Sequence, residues 1–94
     1  MQVDVKLSPG GDHFEAEADG KYAGRLELVR RHGVIIYTHT EVDPEFEGKG
    51  VGGALVRTAL DAARAEDVKI VPSCSFVKAW LERHTDYADL VRNG

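Results

Sequence analysis

The chain changes character at one short stretch. From Glu47 to Gly53 it reads Glu-Gly-Lys-Gly-Val-Gly-Gly, with glycine at four of seven positions. Before this stretch, residues 1–43 alternate apolar and polar side chains in the manner of strands. After it, residues 51–65 follow helical spacing and are rich in alanine. A glycine cluster at a strand-to-helix junction restricts the fold strongly. It lets the backbone turn sharply and come close to a ligand without Cβ atoms in the way. The first turn of the following helix carries N–H groups with no intrahelical partner, and the helix dipole adds partial positive charge there. Together these make an anion site suited to phosphate or pyrophosphate. The bland alternative is a connector that uses glycine for turning alone. Placement of the glycines at the helix start favours the anion site.

Ahead of the loop the pattern is a run of antiparallel strands. Val3, Val5 and Leu7 alternate with polar residues until Ser8-Pro9-Gly10-Gly11 breaks the chain. Phe14, Ala16 and Ala18 alternate with Glu15, Glu17 and Asp19, and Asp19-Gly20 predicts a two-residue hairpin whose turn positions need positive φ. Tyr22 to Arg30 places Leu26 and Leu28 on one face, Arg25 and Glu27 on the other, before the turn at Arg31-His32-Gly33. Strict alternation over Val34–Val42 predicts Val34, Ile36, Thr38, Thr40 and Val42 on one side. Ile35, Tyr37, His39 and Glu41 then share the other.

Beyond the loop, Val51, Leu55, Val56, Ala59, Leu60 and Ala63 form an apolar stripe opposite Arg57, Asp61 and Arg64. Val68–Val71 predicts a short strand ended by Pro72. Ser73 or Ser75 is the candidate cap of a second helix, with Phe76, Val77, Trp80 and Leu81 as its buried stripe. A short terminal helix is expected over Tyr87–Val91. A strand–helix–strand unit makes its two strands parallel. Val34–Val42 should therefore run parallel to Val68–Val71, with the helix packed on one face. The expected fold class is α/β with a mixed sheet: antiparallel β-hairpins followed by a β-α-β-α core, in one domain over residues 1–94.

Length and charge narrow the function. Ninety-four residues fit one domain and exclude a full dinucleotide-binding dehydrogenase, a kinase or a TIM-type barrel. The apolar fraction of 43% beside 30% charged residues is that of a soluble globular chain. Twelve Lys and Arg against 16 Asp and Glu leave a net charge of −4, which argues against a nucleic-acid partner. The single cysteine, Cys74, excludes an internal disulfide framework and a Cys-rich zinc site, and it suits a reducing cytoplasm. His13, His32 and His84 have no metal spacing, so no metal site is expected. The N-terminal residues lack the pattern of a signal peptide, and no apolar run approaches the ~20 residues that span a bilayer. The expectation is a soluble cytoplasmic protein with no membrane partner.

Three phosphate motifs compete for the loop. The P-loop pattern fails because Lys49 is followed by Gly50 rather than by a hydroxyl residue. Gly48-x-Gly50-x-x-Gly53 has the letters of the dinucleotide fingerprint, but hairpins precede it and only 41 residues follow Gly53. Repeated βαβ units do not fit that context. The third pattern is V-x-P-x-x-[QR]-G-x-G-x-[GA] followed by a helix. Val42-Asp43-Pro44-Glu45-Phe46-Glu47-Gly48-Lys49-Gly50-Val51-Gly52-Gly53-Ala54-Leu55 resembles it, and it is the acetyl-CoA signature of the GCN5-related N-acetyltransferases. Glu47 departs from the pattern, which bears on a side-chain contact while backbone amides do most of the holding. More narrowly, the chain resembles small single-domain GCN5-like acetyltransferases. The residues that carry this are His39-Thr40-Glu41-Val42, Glu47 to Gly52, Pro72-Ser73-Cys74 and His84-Thr85-Asp86-Tyr87-Ala88-Asp89-Leu90-Val91. The resemblance covers about residues 34–91, and the earlier hairpins match in order.

The resemblance implies transfer of an acetyl group from acetyl-CoA, the implied cofactor, to an amine. It implies that Glu41 and Val42 offer their backbone to pantetheine. The amides of Glu47, Gly48, Lys49, Gly50, Val51 and Gly52, with Gly53 at the helix start, would hold the pyrophosphate. The two parallel strands would splay, with the thioester in the gap beside Cys74. Tyr87 matches a family position near the cofactor, and an anchoring aromatic is its other reading. Acetyl transfer needs the amine proton to leave, an oxyanion to be stabilised and a thiolate to depart. His39 and Glu41 are the candidate bases. The imidazole has the more suitable ordinary pKa, ~6.5. The other readings are a space-filling ring for His39 and a solvated charge for Glu41. Cys74 has three readings: acid to the departing thiolate, acetylated nucleophile, or small buried hydrophobe. Lys49, Lys78 and Arg83 are candidate phosphate partners or ordinary surface cations.

The acceptor stays open: protein lysine, polyamine, amino-sugar or small drug, in a chain of undetermined oligomeric state. A second function class is a CoA-binding module with little catalysis, acting as a sensor or interaction protein. Longer members of the superfamily wall the acceptor site with N-terminal helices. The resemblance therefore implies an open acceptor face here, suited to a bulky substrate or completed by a partner.

Overall fold

Alternation in the first half builds a meander. In the computed structural model, which describes residues 1–92, β1 (Val3–Leu7), β2 (His13–Ala18), β3 (Lys21–Arg31) and β4 (Val34–Val42) pair antiparallel in chain order. The β2–β3 turn has Asp19 at φ 50° and Gly20 at φ 84°. Both are positive, as a two-residue hairpin matched to strand twist requires. The helix α1 (Val51–Glu66) then crosses over to β5 (Lys69–Pro72), which lies parallel to β4, giving the sheet order β1-β2-β3-β4-β5. The helix α2 (Ser75–Arg83) follows and packs beside α1.

One core joins these parts. Val51, Leu55, Val56, Ala59, Leu60 and Ala63 of α1 are all buried, as the helical spacing predicts. They meet Phe14, Ala16, Leu26 and Leu28 from the meander, Ile35 and Tyr37 from β4, and Ile70 from β5. Burying each large aliphatic side chain contributes about 1.5–3 kcal/mol. The Tyr37 ring is wholly buried and its hydroxyl donates to the Ala59 carbonyl at 3.1 Å, tying β4 to α1. Burial pushes this phenol's pKa far above its ordinary range. The helix α1 ends where Asp67, at φ 59°, donates its N–H to the carbonyls of Ala63 and Arg64. Among the described residues no helix covers the opposite face of the sheet, which carries polar side chains such as Glu15, Arg25 and Glu27.

Four local expectations change. Strict alternation in β4 fails at a bulge. Glu27 pairs with His39 and Leu28 with Tyr37, which leaves Thr38 unpaired. The extra residue inverts the pattern, so Thr40 and Val42 lie on the α1 side with Ile35 and Tyr37, while His39 and Glu41 turn to the open face. At α2 the cap position is held by Cys74 rather than by Ser73 or Ser75, and no side chain caps the helix. Phe76 is 39% exposed, because it leans out over Gly52 instead of joining Val77, Trp80 and Leu81 in the core. The terminal segment is a 3-10 turn over Thr85–Leu90 rather than a helix over Tyr87–Val91, and Val91 leaves it to bridge Ile70.

Candidate functional site

The site begins where two strands part. The β4–β5 ladder runs from Val34↔Lys69 to Tyr37↔Pro72 and stops. The chain turns away at Ser73, and the Cys74 N–H donates to the Tyr37 carbonyl at 2.9 Å. From His39 to Val42, β4 keeps β3 on one side and, among the described residues, has no strand on the other. The gap opens into a cleft of about 460 Å³. Thr40 and Val42 form its β4 wall, Phe46 its base, residues from Glu47 to Gly53 its loop end, and Phe76 its α2 side.

The loop is built for this place. The Asp43 carboxylate accepts from the Glu45 N–H at 3.0 Å and starts a 3-10 turn over Pro44–Phe46 that buries the Phe46 ring. Gly48 at φ 76° and Gly50 at φ 84° then swing the backbone into α1. A Cβ at either would meet nothing within 4 Å, so glycine serves here for its φ and not for space. Gly50 is the N-cap of α1, and no side chain caps the helix. The N–H groups of the first turn therefore stay free for an anion. At Gly52 the reason is contact instead, since a Cβ would sit 2.5 Å from the Phe76 ring. Lys49 is the one residue from Glu47 to Gly53 outside the cleft lining.

The candidate catalytic groups fall on two sides of β4. Thr40 Oγ1 and Cys74 Sγ lie 3.2 Å apart across the parted strands. Thr40 lines the cleft, whereas Cys74 sits behind it at 8% exposure. His39 and Glu41 lie together on the open face, with His39 Nε2 3.4 Å from Glu41 Oε2. Opposite them on β3 stand Glu27 and Arg25, whose Nε is 3.3 Å from Glu27 Oε2. Tyr22 lies nearby, its phenol pushed up by partial burial and then by the Glu41 charge.

Tyr87 lies elsewhere. Its ring is buried edge-on to Trp80 at 5.2 Å, its hydroxyl donates to Asp61 at 2.7 Å, and Arg57 donates to it at 3.2 Å. The bond to Asp61 is the first cause of its raised pKa, with desolvation next. Tyr87 thus anchors the last turn to α1 and is not among the cleft-lining residues. Trp80 stacks on His84 with ring centres 3.7 Å apart, on the same side of the molecule as Arg57. Among the described residues no three His, Cys, Asp or Glu side chains gather as a metal site, and no helix is long and apolar enough to cross a membrane.

Three participants escape a reading by sequence period. Thr40 reaches the cleft because of the Thr38 bulge, and alternating Thr-His-Thr-Glu carries no mark of a bulge. Phe76 reads as a core residue and Phe46 only as a letter of the loop motif, and their place beside the gap depends on where β4 and β5 part.

Residues 13–90 match the model of a family described as GCN5-related N-acetyl-transferase. The chain belongs to this family. As a member of it, the protein is an N-acetyltransferase. Solved structures agree with the fold. A GCN5-like protein of Staphylococcus aureus is 27% identical, with a TM-score of 0.74 over 97% of this chain and 89% of that one. The ribosomal-protein-S18-alanine N-acetyltransferase of Escherichia coli is 22% identical, with a TM-score of 0.64 over 77% of this chain and 50% of the other. A PaiA N-acetyltransferase of Thermoplasma acidophilum, solved with coenzyme A, is 16% identical, with a TM-score of 0.57 over 79% of this chain and 48% of its own. The last two show the fold alone, and this chain spans about half of each. None of the curated proteins is a match.

Proposed function

We propose that the cleft binds acetyl-CoA and that the protein transfers its acetyl group to an amine arriving from the open face of the sheet. One observation carries this reading. A single cleft joins the uncapped start of α1 to the unpaired edge of β4. An anion held by the loop amides, from Glu47 to Gly53, leaves the rest of an extended molecule lying along Glu41 and Val42 toward Thr40 and Cys74. The unpaired backbone of β4 offers hydrogen bonds to an amide-bearing tail, as a neighbouring strand would. Phe46, Val42 and Phe76 give that tail an apolar bed.

The donor supplies an activated acyl group, and the chain supplies position and charge. His39 and Glu41 stand on the face from which the amine comes, so either one accepts its proton directly or through water. Cys74, the candidate acid or acetylated nucleophile, lies behind Thr40 at the end of the cleft where the sulfur would arrive, with its Sγ 3.2 Å from Thr40 Oγ1. The open face suits an amine carried on a bulky molecule such as a protein. We also read residues 1–94 as one domain, since the buried side chains form one cluster, and a lone free thiol fits the cytoplasm.

A thermal-shift panel with acetyl-CoA, CoA, NAD and ATP tests the donor. Stabilisation by both CoA species and by neither nucleotide is expected. No shift with either CoA species would overturn the reading.

A further inference from the structure

We propose that Thr40, rather than Cys74, presents the side chain that meets the reacting sulfur, and that Cys74 orients it. The inference rests on the acetyl-CoA reading above and deepens it. Of the pair, Thr40 is the member that lines the cleft, and Cys74 lies behind it. The bulge at Thr38 makes this so: without the extra residue, Thr40 would face away from α1 and from the gap. Thr38 itself spends its hydroxyl on the Glu27 carbonyl at 3.4 Å.

The pair is held firmly on both sides. Cys74 is fixed by its N–H on the Tyr37 carbonyl at 2.9 Å and by its own carbonyl, which accepts from Lys78 at 3.0 Å in the first turn of α2. Thr40 is β-branched, so its χ1 has few choices. A hydroxyl has one proton to give and two lone pairs to receive with. When the Cys74 S–H donates to Thr40 Oγ1, the hydroxyl proton is left free to point into the cleft. Among the described residues this is the one side-chain hydrogen bond between the unpaired part of β4 and the β5–α2 turn.

The chemistry then balances simply. The amine nitrogen forms the C–N bond, the C–S bond breaks, and its electron pair stays on sulfur. Thr40 keeps its proton and donates a hydrogen bond to that sulfur as charge develops there. The amine proton leaves for His39, Glu41 or water, and the thiolate takes a proton from solvent.

Calorimetric binding of CoA and of desulfo-CoA tests this without knowledge of the acceptor. Wild-type protein is expected to prefer CoA over desulfo-CoA by roughly three- to tenfold, the worth of one hydrogen bond. Thr40→Val, which keeps the shape and removes the hydroxyl, should bring the ratio close to one. Thr40→Ser should restore it, and Cys74→Ala should fall between. The double variant Thr40→Val with Cys74→Ala should be no worse than Thr40→Val alone. Thr40→Ala gives the same comparison if the valine variant does not fold. Three results would overturn the inference alone: equal binding of both ligands by wild-type protein, an undiminished preference in Thr40→Val, or a loss confined to Cys74→Ala. Binding of neither ligand by wild-type protein would overturn the acetyl-CoA reading and the inference with it.

Discussion

At Gly24 a Cβ would lie 2.5 Å from the Glu41 carbonyl oxygen and 3.3 Å from the Val42 Cα. Both neighbours are backbone and cannot swing aside. Gly24→Ala should therefore push β3 from β4 beside the cleft and cost about 1–3 kcal/mol, read as a lower urea midpoint with CoA affinity reduced as well. Tyr87 gives the opposite contrast. Its hydroxyl bridges Asp61 and Arg57 away from the cleft, so Tyr87→Phe should lose about 0.5–1.5 kcal/mol of stability and leave CoA affinity unchanged. A loss of affinity without a loss of stability would return Tyr87 to the site. Sequence period does not reveal either residue's role. Gly24 sits in an ordinary alternating strand, and the need for glycine arises from a backbone atom seventeen positions away.

The elements themselves were largely legible. Alternation locates β1 to β4, helical spacing locates the buried stripe of α1, and the crossover rule makes β5 parallel to β4. These signals are strong because each repeats over several residues against one core. Three of the failures were single-residue in origin: one bulge in β4, one unbonded cap at Cys74, one aromatic leaning outward at Phe76; the fourth is the last segment, a 3-10 turn over Thr85–Leu90 too short to show a period. Charge clamps give the elements a pH dependence. Arg30 holds Glu66 at 2.9 Å, binding β3 to the end of α1, and Arg64 holds Asp89 at 2.9 Å, binding α1 to the last turn. Each carboxyl lies below its ordinary value, chiefly through the hydrogen bond from its arginine. A lowered folded value means stability that is present above about pH 4 and lost as pH falls through the folded pKa. Urea midpoints should drop as the pH falls below about 4, the ordinary carboxyl value. Arg30→Ala and Arg64→Ala should flatten the drop, and an unchanged slope in both would remove these pairs from the explanation.

For the whole molecule the notable asymmetry is one sheet face covered by helices and one that no helix covers among the described residues. With His39 and Glu41 exposed on the open side, the amine need not enter a closed pocket. Acetylation of a lysine within a folded protein should then be at least as efficient, by kcat/KM, as that of a free small amine. A strong preference for small free amines would contradict an open approach. The parted strands carry one further meaning. The upper half of β4 is an edge lacking its neighbour, and the proposed donor is what would lie along it. A bound molecule in that position acts as a sixth strand, so it belongs to the folding equilibrium as much as to the reaction. Stabilisation grows as the logarithm of ligand concentration over Kd. The lifetime of this protein in a protease-rich setting should therefore rise and fall with the supply of its donor.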